Sequence, residues 1–256
     1  MAKTEALTDH GLVVVKLRSP ATTVKAELAS AETRRALMGE FLGSLLFVVL
    51  GAGTVAITGG MLAEKLASAR LLVMALAHGL AFMLLVAATL SISGGHLNPA
   101  VTFAAMLERR ISVTKGLMYM LVQCVGAVVG AFMLTLIVPA GTYGNLGAHM
   151  LGPSVTLGGG VTTEIVATFM LVFAMLATTM SPRPSAFGLA AIGLTMIVAY
   201  MFAMPMTGAA MNPARAFGPA FVTGAWRQHW IFWVGPLAGA TLAACAYGLL
   251  AHREKH

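Results

Sequence analysis

The sequence Gly-His-Leu-Asn-Pro-Ala-Val-Thr-Phe at positions 95–103 is echoed by Ala-Ala-Met-Asn-Pro-Ala-Arg-Ala-Phe at positions 209–217. In each copy Asn is well placed as a helix N-cap, and Pro suits the first helical position, where its missing donor costs nothing. The apolar segments that follow, Pro99–Leu107 and Pro213–Val222, are each about half a bilayer long at roughly 1.5 Å per residue. The two copies therefore predict a pair of re-entrant half-helices.

Six longer apolar stretches approach the roughly 20 residues that an α-helix needs to cross a bilayer. They lie at about 36–58, 71–92, 113–138, 160–180, 187–206 and 229–251. The chain is 58% hydrophobic and only 10% charged, which is too apolar for a soluble domain of this length. We therefore predict an all-α membrane protein with six transmembrane helices and two half-helices.

The two copies define an inverted repeat. Repeat 1 spans about 34–138 and repeat 2 about 160–251, and each has three crossings, an odd number that turns the second copy upside down. The half-helices then enter from opposite faces and aim their positive N-terminal ends at the membrane centre. Water meeting Asn98 and Asn212 there would be bound through its oxygen, whereas cations and protons would meet an electrostatic barrier.

Basic residues predict the orientation. Six of the sixteen Lys and Arg precede the first apolar run, four of them in the segment 1–33 and two at positions 34 and 35, whereas the opposite loops hold only Lys65, Arg70 and Arg227. By the positive-inside rule, the tails at 1–33 and 252–256 are expected in the cytoplasm, with the channel domain at 34–251 in the plasma (inner) membrane.

The remaining polar chemistry does not indicate an enzyme. No nucleophile with an adjacent base, phosphate-binding loop or metal-ligand spacing is visible, so we expect no catalytic residue, cofactor or metal. Cys124 and Cys245 both lie in apolar runs and are interpreted as buried packing residues.

The chain resembles the aquaporins of the major intrinsic protein family over about residues 34–251. The resemblance rests on three sequence features: Asn98-Pro99-Ala100 with Asn212-Pro213-Ala214, the sequence Ala-Arg-Ala-Phe-Gly-Pro at 214–219, and His-Trp-Ile-Phe-Trp-Val-Gly-Pro at 229–236. It implies one pore per subunit in a right-handed helix bundle, and a homotetramer within the lipid bilayer.

Candidate filter residues follow from the half-helix and from the resemblance. Arg215 lies three residues after Asn212 and so on about the same helix face, at a depth where arginine is costly unless it serves a pore. The resemblance adds His78, Tyr200 and Ala209 to the constriction. His78 is similar to the filter histidine of plant tonoplast-type aquaporins, whereas Tyr200 departs from the aliphatic residue usual there.

Three further residues are interpreted as supports of the loops. Glu40 and Glu164 are isolated acids in apolar helices, which need partners, and the resemblance implies that they accept hydrogen bonds from the backbone of the re-entrant loops. His96 is interpreted as a loop brace.

The permeant is predicted to be water. Glycerol-conducting relatives carry other residues at the positions of Ala209, Ala216 and the pair Phe232-Trp233. A glycerol facilitator is therefore the less favoured alternative. His149, fifteen positions before Glu164, resembles a loop histidine of members associated with ammonia, and it either lines an outer vestibule or is an exposed loop residue. An ion-coupled transporter and a membrane-junction protein remain as alternatives from other classes.

Overall fold

The computed structural model describes residues 4–9, 12–17, 27, 29–61, 68–142, 144–180 and 187–251. Two antiparallel strands, β1 (Thr4–Asp9) and β2 (Leu12–Leu17), pair with Thr4 opposite Leu17. They fall within the predicted tail at 1–33, for which no strand was expected, and consecutive valines in β2 favour the extended backbone. The predicted tail at 252–256 lies outside the described residues.

Six helices are long and apolar enough to cross a membrane, which confirms the predicted fold class for the described part of the chain. Their bounds are α1 (Ala31–Ala56), α2 (Ser68–Ser93), α4 (Val113–Ile137), α5 (Leu157–Thr178), α6 (Gly188–Thr207) and α8 (Ile231–Ala251). The side-chain oxygens of Ser30, Ser112 and Thr156 cap α1, α4 and α5, which explains where these helices begin. Helix α1 continues as a π-helical turn over Ile57–Met61.

Two short helices interrupt this pattern. Helix α3 (Pro99–Leu107) has the predicted bounds, and α7 (Pro213–Thr223) ends one residue later than predicted. The Asn98 side chain accepts from the Ala100 amide at 2.8 Å, and that of Asn212 from the Ala214 amide at 3.0 Å. Both helices therefore start at asparagine for the same local reason.

Each repeat pairs its first and third crossing through small residues, as α1 packs on α4 and α5 packs on α8. A Cβ atom added at Gly126 would lie 2.4 Å from the Phe41 carbonyl oxygen, and one at Gly239 would lie 2.4 Å from that of Ile165. The two helix pairs therefore approach too closely for any side chain at these glycines.

The outer surface of the bundle carries many aliphatic side chains, among them Leu121 (66% exposed) and Leu136 (76% exposed). Such a surface is suited to lipid or to another apolar protein face. The interpretation of both cysteines as buried is wrong: Cys124 is partly buried, but Cys245 is exposed because α8 turns it outward.

Candidate functional site

The first re-entrant loop is held by a buried carboxylate from α1. Glu40 Oε1 accepts from the Ser93 hydroxyl at 2.6 Å and from the His96 amide at 3.0 Å, and Oε2 accepts from the Leu97 amide at 2.6 Å. Glu40 is fully buried, so these donors replace the water that the carboxylate loses. The loop before α3 is thereby tied to α1.

The second loop repeats this arrangement through Glu164 of α5. Its Oε1 accepts from the Thr207 hydroxyl at 2.6 Å and the Ala210 amide at 2.9 Å, and its Oε2 accepts from the Met211 amide at 2.8 Å. The two acids thus hold corresponding atoms in the two halves of the chain. All four carboxylate oxygens therefore accept hydrogen bonds from the loops or from the hydroxyls beside them.

Ser93 and Thr207 are loop braces that our sequence analysis missed. Besides donating to the carboxylates, their hydroxyl oxygens accept from the Gly95 amide at 3.2 Å and the Ala209 amide at 3.1 Å. Each stands five residues before the asparagine of its own loop, so the repeat itself carried a signal that could have identified them.

The backbone of both loops follows the same strained path. Leu97 and Met211 have φ values of 51° and 50°, in the left-handed region, and Gly94 and Gly208 have φ values of 91° and 82°. A side chain in this region costs about 1–2 kcal/mol, so the carboxylate bonds must hold Leu97 and Met211 in place. Strain of this kind is typical of functional loops.

The two asparagines bring the loops together. Asn98 Nδ2 donates to the Met211 carbonyl oxygen at 2.8 Å, and Asn212 Nδ2 donates to the Leu97 carbonyl oxygen at 2.9 Å. Each side-chain amide has two N–H groups. One donates to the carbonyl oxygen of the opposite loop, and no described residue accepts from the other. Two buried donors are therefore available at the meeting point of the half-helices.

A second cluster lies around Arg215, which is 1% exposed. Its Nη1 donates to the Gly147 carbonyl oxygen at 3.0 Å, and its Nη2 lies 3.5 Å from His78 Nε2. His78 Nδ1 donates to the Met74 carbonyl oxygen at 2.8 Å, which leaves Nε2 as the acceptor facing the guanidinium. The ring of Tyr200 stacks on His78 with centroids 4.0 Å apart.

Unpartnered polar atoms concentrate in this cluster. Six buried side-chain polar atoms of the described residues have no hydrogen-bond partner, and four of these belong to it: Tyr200 Oη, Arg215 Nε, and His149 Nδ1 and Nε2. Buried polar groups are normally bonded, so a concentration of free ones indicates a place for water or a polar solute. Ala209, the remaining predicted filter residue, is buried in the loop between Gly208 and Ala210.

His149 lies in the segment between α4 and α5 and is only 3% exposed, so its interpretation as an exposed loop residue is wrong. Its ring is 5.3 Å from that of Phe232, and Gly208 leaves the space beside it. Burial, followed by the charge of Arg215, holds the pKa of His149 well below its usual range. His149 is therefore neutral at neutral pH.

Repeat 1 carries an additional polar group that our sequence analysis missed. Gln123 of α4 donates through Nε2 to Glu40 Oε2 at 2.7 Å and to Thr102 Oγ1 at 3.0 Å. His96 Nδ1 lies 3.1 Å from the same Thr102 hydroxyl, so the His96 ring joins the group of hydrogen bonds that supports the first loop. A lone glutamine in an apolar helix was the available signal.

Two inverted sets of three crossings, with their loops joined around free polar atoms, define an integral, multi-pass membrane protein of the channel type. The family profile "Major intrinsic protein" matches residues 27–247. The chain belongs to this family, the aquaporin family, whose members are passive channels and not enzymes.

Individual relatives agree with this assignment. Aquaporin-4 of Mus musculus is 41% identical over 215 residues, which cover 83% of this chain but only 66% of the relative. The lens fiber major intrinsic protein of Gallus gallus is 42% identical over 234 residues, which cover 87% and 84% of the two chains. The solved structure of the aquaglyceroporin from Plasmodium falciparum shares the fold, with a TM-score of 0.76, 22% identity, and coverage of 86% and 98%.

Proposed function

We propose that this chain is a passive channel for water that excludes ions and protons. The observation that carries the proposal is the set of free buried polar atoms: Tyr200 Oη, Arg215 Nε and the nitrogens of His149. Water both donates and accepts, so it can satisfy such a mixed set without leaving any member unpaired. The unused N–H groups of Asn98 and Asn212 offer it two further donors.

The same groups oppose the passage of cations. Each half-helix starts at its asparagine with a positive dipole end, and Arg215 adds a full charge nearby. Glu40 and Glu164 offer an entering cation no free oxygen ligand, because their carboxylate oxygens already accept hydrogen bonds from the loops. An entering cation would lose its hydration and gain no anionic partner. Donors from both asparagines also hold a water molecule through its oxygen, which opposes proton transfer along a water chain.

Filter size argues against glycerol. His78, Tyr200 and Arg215 crowd together, with ring centroids 4.0 Å apart for the first two and 3.5 Å between His78 Nε2 and the guanidinium. Tyr200 is larger than the aliphatic residue usual in tonoplast-type relatives, which adds to this crowding. The aquaglyceroporin likeness concerns the fold and does not bear on the permeant.

The proposal includes the surroundings of the channel. We assign 34–251 to a channel domain in the plasma (inner) membrane. The tails at 1–33 and 252–256 are assigned to the cytoplasm, because Lys and Arg side chains concentrate in these tails. Lipid is one partner of the bundle surface. Three further copies of the chain are the other, forming a homotetramer with one passage per subunit.

Stopped-flow light scattering of reconstituted vesicles tests the function. We expect vesicles with the protein to shrink faster than empty ones after an osmotic step, without saturation and without dependence on a sodium or proton gradient. Glycerol entry should equal that of empty vesicles. Water flux no faster than in empty vesicles would favour a membrane-junction protein, and saturable, gradient-dependent flux would favour a transporter.

Ammonia is a second candidate permeant, because His149 is buried within electrostatic range of Arg215 and neither ring nitrogen makes a hydrogen bond of normal geometry. Its low pKa makes the ring a hydrogen-bond acceptor for ammonia and a poor store for a proton. Ammonia flux should fall in His149→Ala while water flux, measured on the same vesicles, persists. An unchanged ammonia flux would end this assignment.

A further inference from the structure

Gly51, in the second half of α1, faces the ring of His78. A Cβ atom added at Gly51 would lie 2.6 Å from His78 Nε2 and 2.7 Å from its Cδ2. We infer that Gly51 is a positioning residue that sets the width of the filter, because its missing side chain lets the His78 ring withdraw from the passage. This inference rests on the proposed channel function.

The environment of Gly51 differs from that of the packing glycines. Added Cβ atoms at Gly126, Gly130 and Gly239 would each meet a backbone carbonyl oxygen of the neighbouring helix, at 2.4 to 2.5 Å. The three nearest atoms at Gly51 all belong to the His78 ring. A glycine at this position therefore accommodates one side chain and does not serve the approach of two helices.

The second repeat supports this distinction. Met175 stands eleven residues after Glu164, as Gly51 stands eleven residues after Glu40, and it is fully buried. A long side chain is therefore compatible with this position of the repeated helix. In repeat 1 the same position faces the ring of His78.

The His78 ring has few ways to yield. Nδ1 is bonded to the Met74 carbonyl oxygen at 2.8 Å, and the ring of Phe47 stands edge-on with its centroid 5.9 Å away. Tyr200 and Arg215 lie on the side of the filter. A methyl group at position 51 would therefore displace the ring toward these two residues and narrow the passage.

A double-mutant cycle tests the inference. Water flux per reconstituted protein is measured for the wild type, Gly51→Ala, His78→Ala and the double variant, with Gly158→Ala as the control. Gly158 also lies in a crossing helix, but nothing comes within 4 Å of its added Cβ atom. We expect Gly51→Ala to lower water flux several-fold, the control to match the wild type, and the double variant to match His78→Ala.

The cycle separates pore geometry from general damage. A folded Gly51→Ala with wild-type flux would overturn the inference, and so would a loss that persists in the His78→Ala background. If Gly51→Ala does not fold, recovery of folding in the double variant supports the same clash, and failure of the double variant overturns it. Absence of water flux in the wild type would instead refute the channel proposal.

Discussion

Arg215 is a permanent charge inside an apolar bundle, and its neighbours explain how it is kept there. The described groups around its guanidinium are neutral: the Gly147 carbonyl oxygen accepts from Nη1, His78 accepts at longer range, and the Tyr200 side chain lies beside it. Because these contacts do not cancel the positive charge, Arg215 would repel cations at the proposed filter. In the proposed channel the same residue would limit both the charge and the size of the permeating solute.

At this scale we predict that the double variant Arg215→Val, His78→Ala widens the filter. Both changes replace large polar side chains with smaller apolar ones, so urea and glycerol should enter vesicles faster while water flux persists. Stopped-flow measurements with each solute provide the test. Arg227→Val is a suitable control, because Arg227 is exposed in the loop before α8. An unchanged solute profile in the double variant would mean that the constriction lies elsewhere.

At the scale of the elements, the two re-entrant loops are stable only through bonds made from outside them. Each is too short for a hydrophobic core of its own, and its left-handed residues are unfavourable. The carboxylates of Glu40 and Glu164 offset this cost, together with the hydroxyls of Ser93 and Thr207. Loss of a brace should therefore affect both stability and conduction.

For these braces we predict that Thr207→Val lowers the free energy of unfolding by about 1.5–3 kcal/mol, the usual range for a hydrogen bond to a charged group. Ser93→Ala should act similarly, because its bond to Glu40 has the same 2.6 Å length. Unfolding in detergent with increasing denaturant measures the change. Thr241→Val is the matched control, since that hydroxyl bonds only the carbonyl of Leu237 in its own helix. Equal losses in the control and in Thr207→Val would contradict the brace assignment.

The loop before α8 contains a pH-dependent contact. His229 Nε2 accepts from Trp233 Nε1 at 3.2 Å, and burial lowers the pKa of His229. Protons therefore bind the unfolded chain, with a histidine pKa of about 6.5, before they bind this site. The buried His149 acts in the same direction. The contribution of these histidines to the free energy of unfolding should be constant above about pH 6.5 and should decline as the pH falls below that value.

Thermal unfolding at pH 7.5 and pH 5 provides the measurement for His229. The wild type should lose stability at the lower pH, and His229→Gln should lose less because the titrating group is gone. Gln keeps an acceptor near Trp233, so the comparison at pH 7.5 reports the cost of the substitution itself. Equal pH dependence in both proteins would contradict a contribution from His229.

At the scale of the whole molecule, the two repeats are joined where their loops exchange asparagine bonds. Asn98 and Met211 come from different halves of the chain, as do Asn212 and Leu97. Separating the two halves would break both bonds, so we expect the meeting point of the loops to be a rigid part of the fold. Exposed aliphatic residues such as Leu84 and Leu194, 63% and 54% exposed, leave an outer surface for lipid and for the proposed tetramer.

The orientation of the molecule leads to a further prediction. In a Cys124→Ala, Cys245→Ala background, a cysteine introduced by Arg227→Cys should react with a membrane-impermeant maleimide in intact cells. The matched variant Arg109→Cys should react only after lysis, because Arg109 follows α3 on the predicted cytoplasmic side. The opposite pattern would reverse the proposed topology.

Local signals explain the features of the fold that could be predicted from the sequence. The start of α3 and of α7 follows from Asn-Pro, and the six crossings follow from uninterrupted apolar runs, because caps and hydropathy act within a few residues. The strands near the N-terminus were not predicted. The direction in which Cys245 faces was wrong, since hydropathy reports that a helix is apolar but not which side meets another helix.

The sequence by itself determined the family, the inverted repeat and the residues that begin each half-helix. Only the tertiary structure decided that Ser93 and Thr207 brace the loops, that His149 is buried and that Gly51 faces His78. The reason is the distance along the chain over which each property arises. A cap or a crossing depends on neighbouring residues, whereas these contacts require segments that only the packing of separate helices brings together.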